Sequence, residues 1–407
     1  MKKEMTLDKG TSPSQIRVAK AFNHQTPDRT PLFEIFQPFH PIHWDIAGRT
    51  VGTDEAMCWD AMADGIAWEE LVEAKAQAAF QVNKFFEVDM VRLNRVPKKD
   101  APRPVKTGPK SWKLEGVDYV LNERTCLVEL SNPGEKDSYS QRVTEEEMIS
   151  IIEKWDGKSS EQPVGVDPVY RRVRQLAEAE GIHWVYMAEI GAGTGVAYYP
   201  PFLLMWMMAE PELFSRWLEM KKLPALKRTR ELVEQGHAVV AIGGDVSCDK
   251  GPFISPATYH EFILPAIQEH TNLIHEGGSL VVYTSDGNHW PIKEDFFFNS
   301  GVDGYKEVDK AAGMTFERLI AEGVKKRLCL IGNIDARYTL CQGRPDEVGR
   351  EVVECLKLGQ QSPGGHILHA SHSVHEDVKS ENYYAAVNAY REYFGMKPLS
   401  RPGGGLK

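Results

Sequence analysis

The chain has 407 residues, of which 42% are hydrophobic and 26% are charged, which is the composition of a globular protein with a large core. Its 48 Lys and Arg residues are outnumbered by 58 Asp and Glu residues, for a formal net charge of −10, and no basic run could follow a phosphate backbone, so we expect no nucleic acid partner. The first residues are too polar for a secretion signal, and the longest apolar stretch, which begins at Phe202, is too short to cross a bilayer, so we expect a cytoplasmic protein without a membrane partner.

Short apolar runs alternate with longer helical patterns along the chain, which is typical of βαβ units with parallel strands. Residues 1–30 precede the first such run and predict an N-terminal extension that contains a helix. Because eight parallel strands close a barrel, we predict an α/β protein with a (β/α)8 TIM-type barrel over residues 31–396. The predicted strands cover residues 31–36, 89–93, 184–190, 238–243, 280–284, 304–308, 328–331 and 366–369.

Three segments depart from a plain barrel. Residues 94–165 are too long for a simple loop, and the alternation of apolar and polar residues in WKLEGVDYVLNERTCLVEL predicts an inserted β-hairpin that covers one end of the barrel. The string GAGTGV, which begins at Gly191, lacks the third glycine of a dinucleotide-binding motif and is expected to form a tight turn. Residues 397–407 are expected to be a flexible tail.

Two helices have clear sequence signals. Ser255 and Pro256 predict the N-cap and the first residue of a helix that ends at Gly277. Aromatic and apolar residues recur at helical spacing from Tyr383 to Phe394 and predict a helix that packs on the outside of the barrel.

Carboxylates and imidazoles follow most of the predicted strands. In a (β/α)8 barrel the C-terminal ends of the strands meet at one mouth, where the active site lies. Asp245 and Asp286 are the strongest candidates, because each lies beside glycines that let a ligand approach the backbone; helix capping is the alternative role. Near the C-terminus, His372 is the first candidate histidine and His369 the second. The other residues at strand ends are Glu34, Gln37, Arg92, Asn94, Glu189, His289, Glu307 and Asn333.

Seven motifs occur in order between Ala241 and Phe394: IGGDVSCDKGPFISP, FILPAI, IHEGGSLVVYTSDGN, GVDGYKEVD, LIGNIDARYTLCQGRPDEV, GHILHASHSV and ENYYAAVNAY. This series resembles the uroporphyrinogen decarboxylase superfamily, as does the opening VAKAFNHQTPDRTPLFEIF. Decarboxylases of that superfamily carry an R-Q-A-G-R signature after the first strand, whereas this chain reads FQPFHPIHWDIAGRT there, with only Arg49 nearby. The resemblance therefore implies the cobalamin-dependent methyltransferase branch.

Several methyltransferases of this superfamily bind zinc through an H-x-C motif and a later cysteine. In this chain the tripeptide TSD at residues 284–286 replaces the first motif, and His372 stands at the place of the later cysteine. The resemblance implies a zinc ion bound by His372 and Asp286, with Glu307 or His289 completing the ligands. The alternative is that no metal is bound and that Asp286 and His372 form a proton relay.

The resemblance implies a methyltransferase that moves a methyl group from a small methyl ether, for example an aromatic one, to cob(I)alamin. The chain has no recognisable cobalamin-binding segment, so the cob(I)alamin is expected on a separate corrinoid protein. A decarboxylase and a non-catalytic barrel that binds a small molecule remain as alternatives, and a homodimer is compatible with the sequence. We predict that the catalytic residues are Asp245, Glu189 and His289, that the substrate-binding residues are Phe36, Tyr186, Asn333 and Arg92, and that the metal ligands are His372, Asp286 and Glu307.

Overall fold

Parallel strands form the centre of the fold. The computed structural model describes residues 12–131, 143–158, 165–190 and 200–402. Within these ranges the strands are β1 (Phe33–Glu34), β2 (Met90–Val91), β3 (Val105–Gly108), β4 (Ser111–Leu114), β5 (Val117–Asn122), β6 (Leu127–Leu130), β7 (Val185–Ile190), β8 (Val239–Gly243), β9 (Ser247–Cys248), β10 (Gly251–Pro252), β11 (Leu280–Thr284), β12 (Gly304–Lys306), β13 (Cys329–Ile331) and β14 (His366–Ile367).

Eight of these strands form a barrel in the order β1-β2-β7-β8-β11-β12-β13-β14, and each neighbouring pair is parallel. A parallel bridge between Leu32 and Leu368 joins the two edge strands. There the Phe33 amide donates to the Leu368 carbonyl at 3.0 Å, and the Leu368 amide donates to the Pro31 carbonyl at 2.9 Å. The predicted (β/α)8 barrel is confirmed, and each observed barrel strand lies inside its predicted range.

Alternate residues of each barrel strand face the interior, because successive side chains of a strand point to opposite faces. In β7, Val185 and Met187 belong to the interior cluster, whereas Tyr186 and Ala188 pack in the outer layer with the helices. The apolar interior is built from Phe33, Ile35, Met90, Val185, Met187, Val239, Ala241, Leu280, Val282, Cys329, Ile331 and Ile367.

Helix α1 (Pro13–Phe22) closes the N-terminal end of the barrel. Ser12 and Gln15 form a capping box, in which the side chain of each accepts a hydrogen bond from the backbone amide of the other. Val18 and Phe22 belong to the interior cluster, and a Cβ atom on Gly304 would lie 3.1 Å from the Phe22 ring. The helix predicted in the N-terminal extension is therefore the floor of the barrel; residues 1–11 lie outside the described residues.

The other helices surround the barrel. Ser255 caps the predicted helix by accepting from the Thr258 amide at 3.1 Å, and that helix continues through a π-helical turn to Gly277, as predicted. In the described ranges, no helix is long and apolar enough to cross a bilayer. The helices are α2 (Ile42–Ala47), α3 (Glu55–Ala63), α4 (Trp68–Phe85), α5 (Glu145–Lys154), α6 (Pro168–Ala179), α7 (Phe202–Ala209), α8 (Pro211–Glu234), α9 (Pro256–Thr258), α10 (Leu264–Glu276), α11 (Phe316–Ala321), α12 (Val324–Arg327), α13 (Thr339–Gln342), α14 (Pro345–Gly359) and α15 (Ser380–Tyr393).

The insertion after β2 contains a four-stranded antiparallel sheet in the order β3-β4-β5-β6, where the sequence predicted only a hairpin. The prediction missed β3, because its residues are mostly exposed and do not alternate in polarity. This sheet packs on α3, where the Trp59 ring contacts the rings of Trp112 and Tyr119. The described residues do not include 132–142 or 159–164 of the insertion, nor the GAGTGV string at 191–196.

The first residues of the predicted tail contact the body of the protein. The Leu399 amide donates to the Asn388 side chain at 2.7 Å, and Arg401 forms an ion pair with Asp45 at 2.8 Å. The flexibility of residues 397–407 stays a prediction, and residues 403–407 lie outside the described residues.

Candidate active site

Three carboxylates meet at the C-terminal mouth of the barrel. Asp245 follows β8, Asp286 follows β11 and Glu307 follows β12, so that three neighbouring strands position them. Electrostatic coupling links all three to one another and to His372, which follows β14. Glu307 has a φ of 68°, a left-handed conformation that is uncommon for a residue other than glycine and that concentrates at functional sites. The sequence-based grouping of these four residues at one mouth agrees with their positions.

A buried lysine compensates part of this negative charge. Lys306, the last residue of β12, is 1% exposed, and its Nζ donates to Oε1 of Glu307 at 2.6 Å. Burial alone would raise the pKa of Glu307, but the positive charges of Lys306, His372 and Arg92 outweigh it and lower that pKa. Glu307 is therefore held as a carboxylate in the barrel interior.

The other two carboxylates retain protons more readily than usual. Burial raises the pKa of Asp245, and the nearby charge of Glu307 raises it further. Burial, together with the charges of Asp245 and Glu307, raises the pKa of Asp286 to about 6, although His372 acts in the opposite direction. Asp286 can therefore act as a proton donor near neutral pH.

A cavity of about 580 Å³ adjoins this cluster. Arg337 lies in its wall and forms ion pairs with Asp249 at 2.7 Å and with Asp309 at 3.3 Å. The cavity is large enough for a small organic substrate, and Asp286 and His372 face it. Its lining residues are Asp286, Asp309, Ala336, Arg337, Cys341, Gln342, Ser371, His372, His375 and Asp377.

A second polar pair lies deeper in the barrel, between Glu34 and His369. Burial raises the pKa of Glu34 to about 8, so this carboxyl group is protonated at neutral pH. Its Oε1 lies 3.4 Å from Nε2 of His369, whose Nδ1 bonds to the Ala370 carbonyl. Burial lowers the pKa of His369 far below its ordinary value, so the pair consists of a neutral acid and a neutral imidazole.

Arg92 and Glu189 neutralise each other. The guanidinium of Arg92 lies 2.7 Å from Oε2 of Glu189, and its Nη1 donates to Oδ1 of Asn94 at 2.7 Å. The predicted catalytic residue Glu189 therefore forms an ion pair with Arg92. Arg92 itself was predicted to bind substrate. Phe36, also predicted to bind substrate, packs against Phe86 and lines a small cavity that is described below.

Three predicted site residues do not line the 580 Å³ cavity. His289 is fully buried, where its ring stacks on Phe296 and its two nitrogens bond to Ser247 Oγ and the Ser285 carbonyl, so it has a structural role.

Tyr186 belongs to the outward-facing residues of β7, and the guanidinium of Arg174 lies 4.7 Å from its ring centroid. Asn333 lines a separate small cavity beside Cys355 of α14. Neither residue contributes to the 580 Å³ cavity. These placements correct the assignment of Tyr186 and Asn333 to substrate binding.

The predicted zinc ligands do not fit a metal site. Among the described residues, no group of three or more His, Cys, Asp or Glu side chains has an arrangement that could hold a metal ion. His372, Asp286 and Glu307 are coupled by charge but do not converge as ligands.

The sequence interpretation missed Lys306, Asp309 and Arg337. Lys306 had a usable signal, since it lies inside the predicted barrel strand at residues 304–308, where a charged residue needs a buried partner. Asp309 and Arg337 had none, because they come from loops that follow different strands and meet only in the folded chain.

The chain matches the family model "Uroporphyrinogen decarboxylase (URO-D)" over residues 141–393, which is more than half of its length. It belongs to the uroporphyrinogen decarboxylase family. The region of this family match contains the acidic cluster and the 580 Å³ cavity, whereas β1, β2 and α4 precede it. No curated protein matches the chain.

A solved methyltransferase structure agrees with the barrel fold of this family member. A methyltransferase from Methanosarcina mazei has a TM-score of 0.59 and 18% sequence identity, and the match covers 93% of this chain and 98% of that one. A sugar phosphate isomerase/epimerase from Parabacteroides distasonis has a TM-score of 0.31 at 15% identity, covering 54% and 76% of the two chains. D-Psicose 3-epimerase from Clostridium cellulolyticum has a TM-score of 0.34 at 13% identity, covering 64% and 97%. At these identities the likeness to the methyltransferase shows the fold alone, and the other two carry no argument.

Proposed function

We propose that this protein transfers a methyl group from a small methyl ether to cob(I)alamin carried by a separate corrinoid protein. The observation that carries the proposal is the position of Asp286 in the wall of the 580 Å³ cavity at the barrel mouth, where its pKa is raised to about 6 so that it can donate a proton. Within this family, the missing arginine signature favours methyl transfer over decarboxylation.

Cleavage of a methyl ether leaves negative charge on the departing oxygen. Cob(I)alamin supplies the electron pair that takes the methyl carbon, and the electron pair of the broken C–O bond moves to the oxygen. Asp286 donates its proton to that oxygen, because an alkoxide is a poor leaving group at neutral pH unless it is protonated or otherwise stabilised. His372 lies close enough to influence the charge of Asp286 and can return the proton from solvent. This arrangement is the proton relay, and it requires no metal ion.

The test uses the purified protein with chemically reduced free cobalamin and a panel of small methyl ethers. We expect methylcobalamin to form, as measured by its absorbance spectrum, and to form equally fast after exhaustive chelation of metals. Asp118→Asn, a change at an exposed aspartate of the inserted sheet, is the matched control and should leave the rate unchanged.

Two results would contradict the proposal. Decarboxylation of uroporphyrinogen without any methyl transfer would show that the protein is a decarboxylase. About one zinc ion per chain that is lost in His372→Ala, together with loss of activity on chelation, would replace the relay with a metal site.

A further inference from the structure

A second, smaller cavity lies at the other side of the barrel, where β1 and β2 diverge. The two strands pair only at Phe33–Met90 and Glu34–Val91, and a cavity of about 60 Å³ lies beyond these pairs, against α4. Glu34 forms part of its wall and contacts His369 inside the barrel, so this space adjoins the barrel interior. Its volume corresponds to about two water molecules, which is sufficient for a carboxylate group but not for an aromatic ring.

Lys75 of α4 provides a positive charge in this wall. Its Nζ lies 3.1 Å from the centroid of the Phe39 ring, and no ion pair or hydrogen bond of this ammonium group is found within the described parts of the chain. Burial lowers the pKa of Lys75 to about 8, so the group is still mainly charged at neutral pH. Glu55 and Cys58 are the acidic groups that interact with it; burial raises the pKa of both, and neither lines the cavity.

The remaining polar residues of the cavity do not balance Lys75. Burial raises the pKa of Glu34 to about 8 and lowers the pKa of His43 to about 3, so that both side chains are neutral at pH 7. Arg92 is already paired with Glu189. Among the residues that line the described cavity, Lys75 therefore carries the uncompensated charge. A partly buried charge without a partner is unfavourable until an ion of opposite sign joins it.

We propose that the Lys75 cavity binds a carboxylate group of the methyl donor. The Lys75 ammonium faces the carboxylate, and the rest of the donor extends toward the barrel mouth, because the cavity holds little more than the carboxylate itself. The inference rests on the proposed function only in taking the ligand to be the methyl donor.

The test measures binding and needs no turnover. Isothermal titration is carried out with acetate, benzoate and 4-methoxybenzoate, each compared with its neutral amide. We expect at least one carboxylate to bind more tightly than its amide, and Lys75→Gln to weaken that binding by about ten- to a hundredfold, the effect of one charge-assisted hydrogen bond. Lys84→Gln is the matched control, because Lys84 also lies on α4 over an aromatic ring, that of Phe80, but is exposed and paired with Glu180.

Thermal unfolding without ligand separates a binding defect from a folding defect. Lys75→Gln removes an unpaired charge, so its melting temperature should equal or exceed that of the unchanged protein. The inference is overturned if no carboxylate binds more tightly than its amide, or if the preference for the carboxylate persists in Lys75→Gln. Carboxylate binding without any methyl transfer would leave the cavity assignment standing and remove the proposed function. Methyl transfer from neutral ethers with no carboxylate binding would overturn the cavity assignment and leave the proposed function standing.

Discussion

The two sides of the barrel mouth differ in how their charges are compensated. On one side, the buried cation Lys306 donates to Glu307 and interacts with Asp245, and the charges of these two carboxylates raise the pKa of Asp286. On the other side, Lys75 faces a small cavity in which the neighbouring acid and imidazole are neutral. The first side lies within the region of the family match and the second precedes it. We infer that the acidic side carries chemistry shared in the family and that the Lys75 side determines which ligand this protein accepts.

Burial favours the neutral forms of Asp286 on one side and Lys75 on the other, but with different consequences. It raises the pKa of Asp286 and so keeps a proton available for chemistry. It lowers the pKa of Lys75 only to about 8, which leaves a charge that a ligand can neutralise. Desolvation therefore prepares a proton donor on one side and a binding group on the other.

The largest expected effect comes from removing the cation of the acidic side. Lys306→Met leaves Glu307 buried without its 2.6 Å partner, and we expect a loss of about 3–5 kcal/mol in the free energy of unfolding, measured by urea denaturation. Adding Glu307→Gln to this variant should restore most of the stability, because no buried charge remains unpaired. Lys293→Met, at an exposed pair with Glu322, is the control and should have no measurable effect. Equal stability of Lys306→Met and the unchanged protein would show that the acidic side needs no internal cation.

The next effect concerns proton donation. Since the protonated form of Asp286 is required, the rate of methyl transfer should fall as the pH rises through the pKa of Asp286, about 6. Asp286→Asn carries no acidic proton, so we expect a rate about a hundredfold lower that no longer depends on pH in this range. The measurement is the initial rate of methylcobalamin formation from pH 5 to 8. A pH profile that keeps its alkaline decline in Asp286→Asn would assign the proton to another group.

The last effect concerns Glu34, which lies between the two sides. Its pKa rises from about 4.5 in the unfolded chain to about 8 in the fold, so the folded state retains a proton that the unfolded state releases. The contribution of Glu34 to the free energy of unfolding is complete below pH 4.5 and is lost as the pH rises to about 8. Between these values the free energy of unfolding falls by about 1.4 kcal/mol per pH unit. Glu34→Gln resembles the protonated form and should remove this slope when urea unfolding is compared at pH 5, 6 and 7. Glu70→Gln, at an exposed position of α4, is the control and should keep the pH slope of the unchanged protein. Parallel stability curves for Glu34→Gln and the unchanged protein would place a charged carboxylate in the cavity wall.

The sequence predicted the barrel well because its strands are continuous apolar runs, as expected for parallel strands buried on both faces. The same property made individual side chains hard to place. Tyr186 and Met187 are both apolar and buried, and only the folded sheet shows that Met187 faces inward.

Residues in loops at strand ends were predicted more reliably, since Asp245, Asp286 and His372 do lie at one mouth. The burial of His289 could not be predicted, because its hydrogen bonds to Ser247 and Ser285 depend on contacts between separate turns. Lys75 could not be predicted, because a lysine in an amphipathic helix resembles an ordinary surface residue until the strands beside it diverge.

The closure of the barrel floor by α1 has a consequence for the order of events. With Phe22 filling the space beside Gly304, molecules reach the polar residues only from the opposite, C-terminal side. A small donor and a large methyl acceptor would then share one entrance, and the donor has to arrive first, because the acceptor would cover it. The demethylated product would remain enclosed until the acceptor leaves. Release of the acceptor, rather than bond cleavage, would then limit the rate of repeated turnovers.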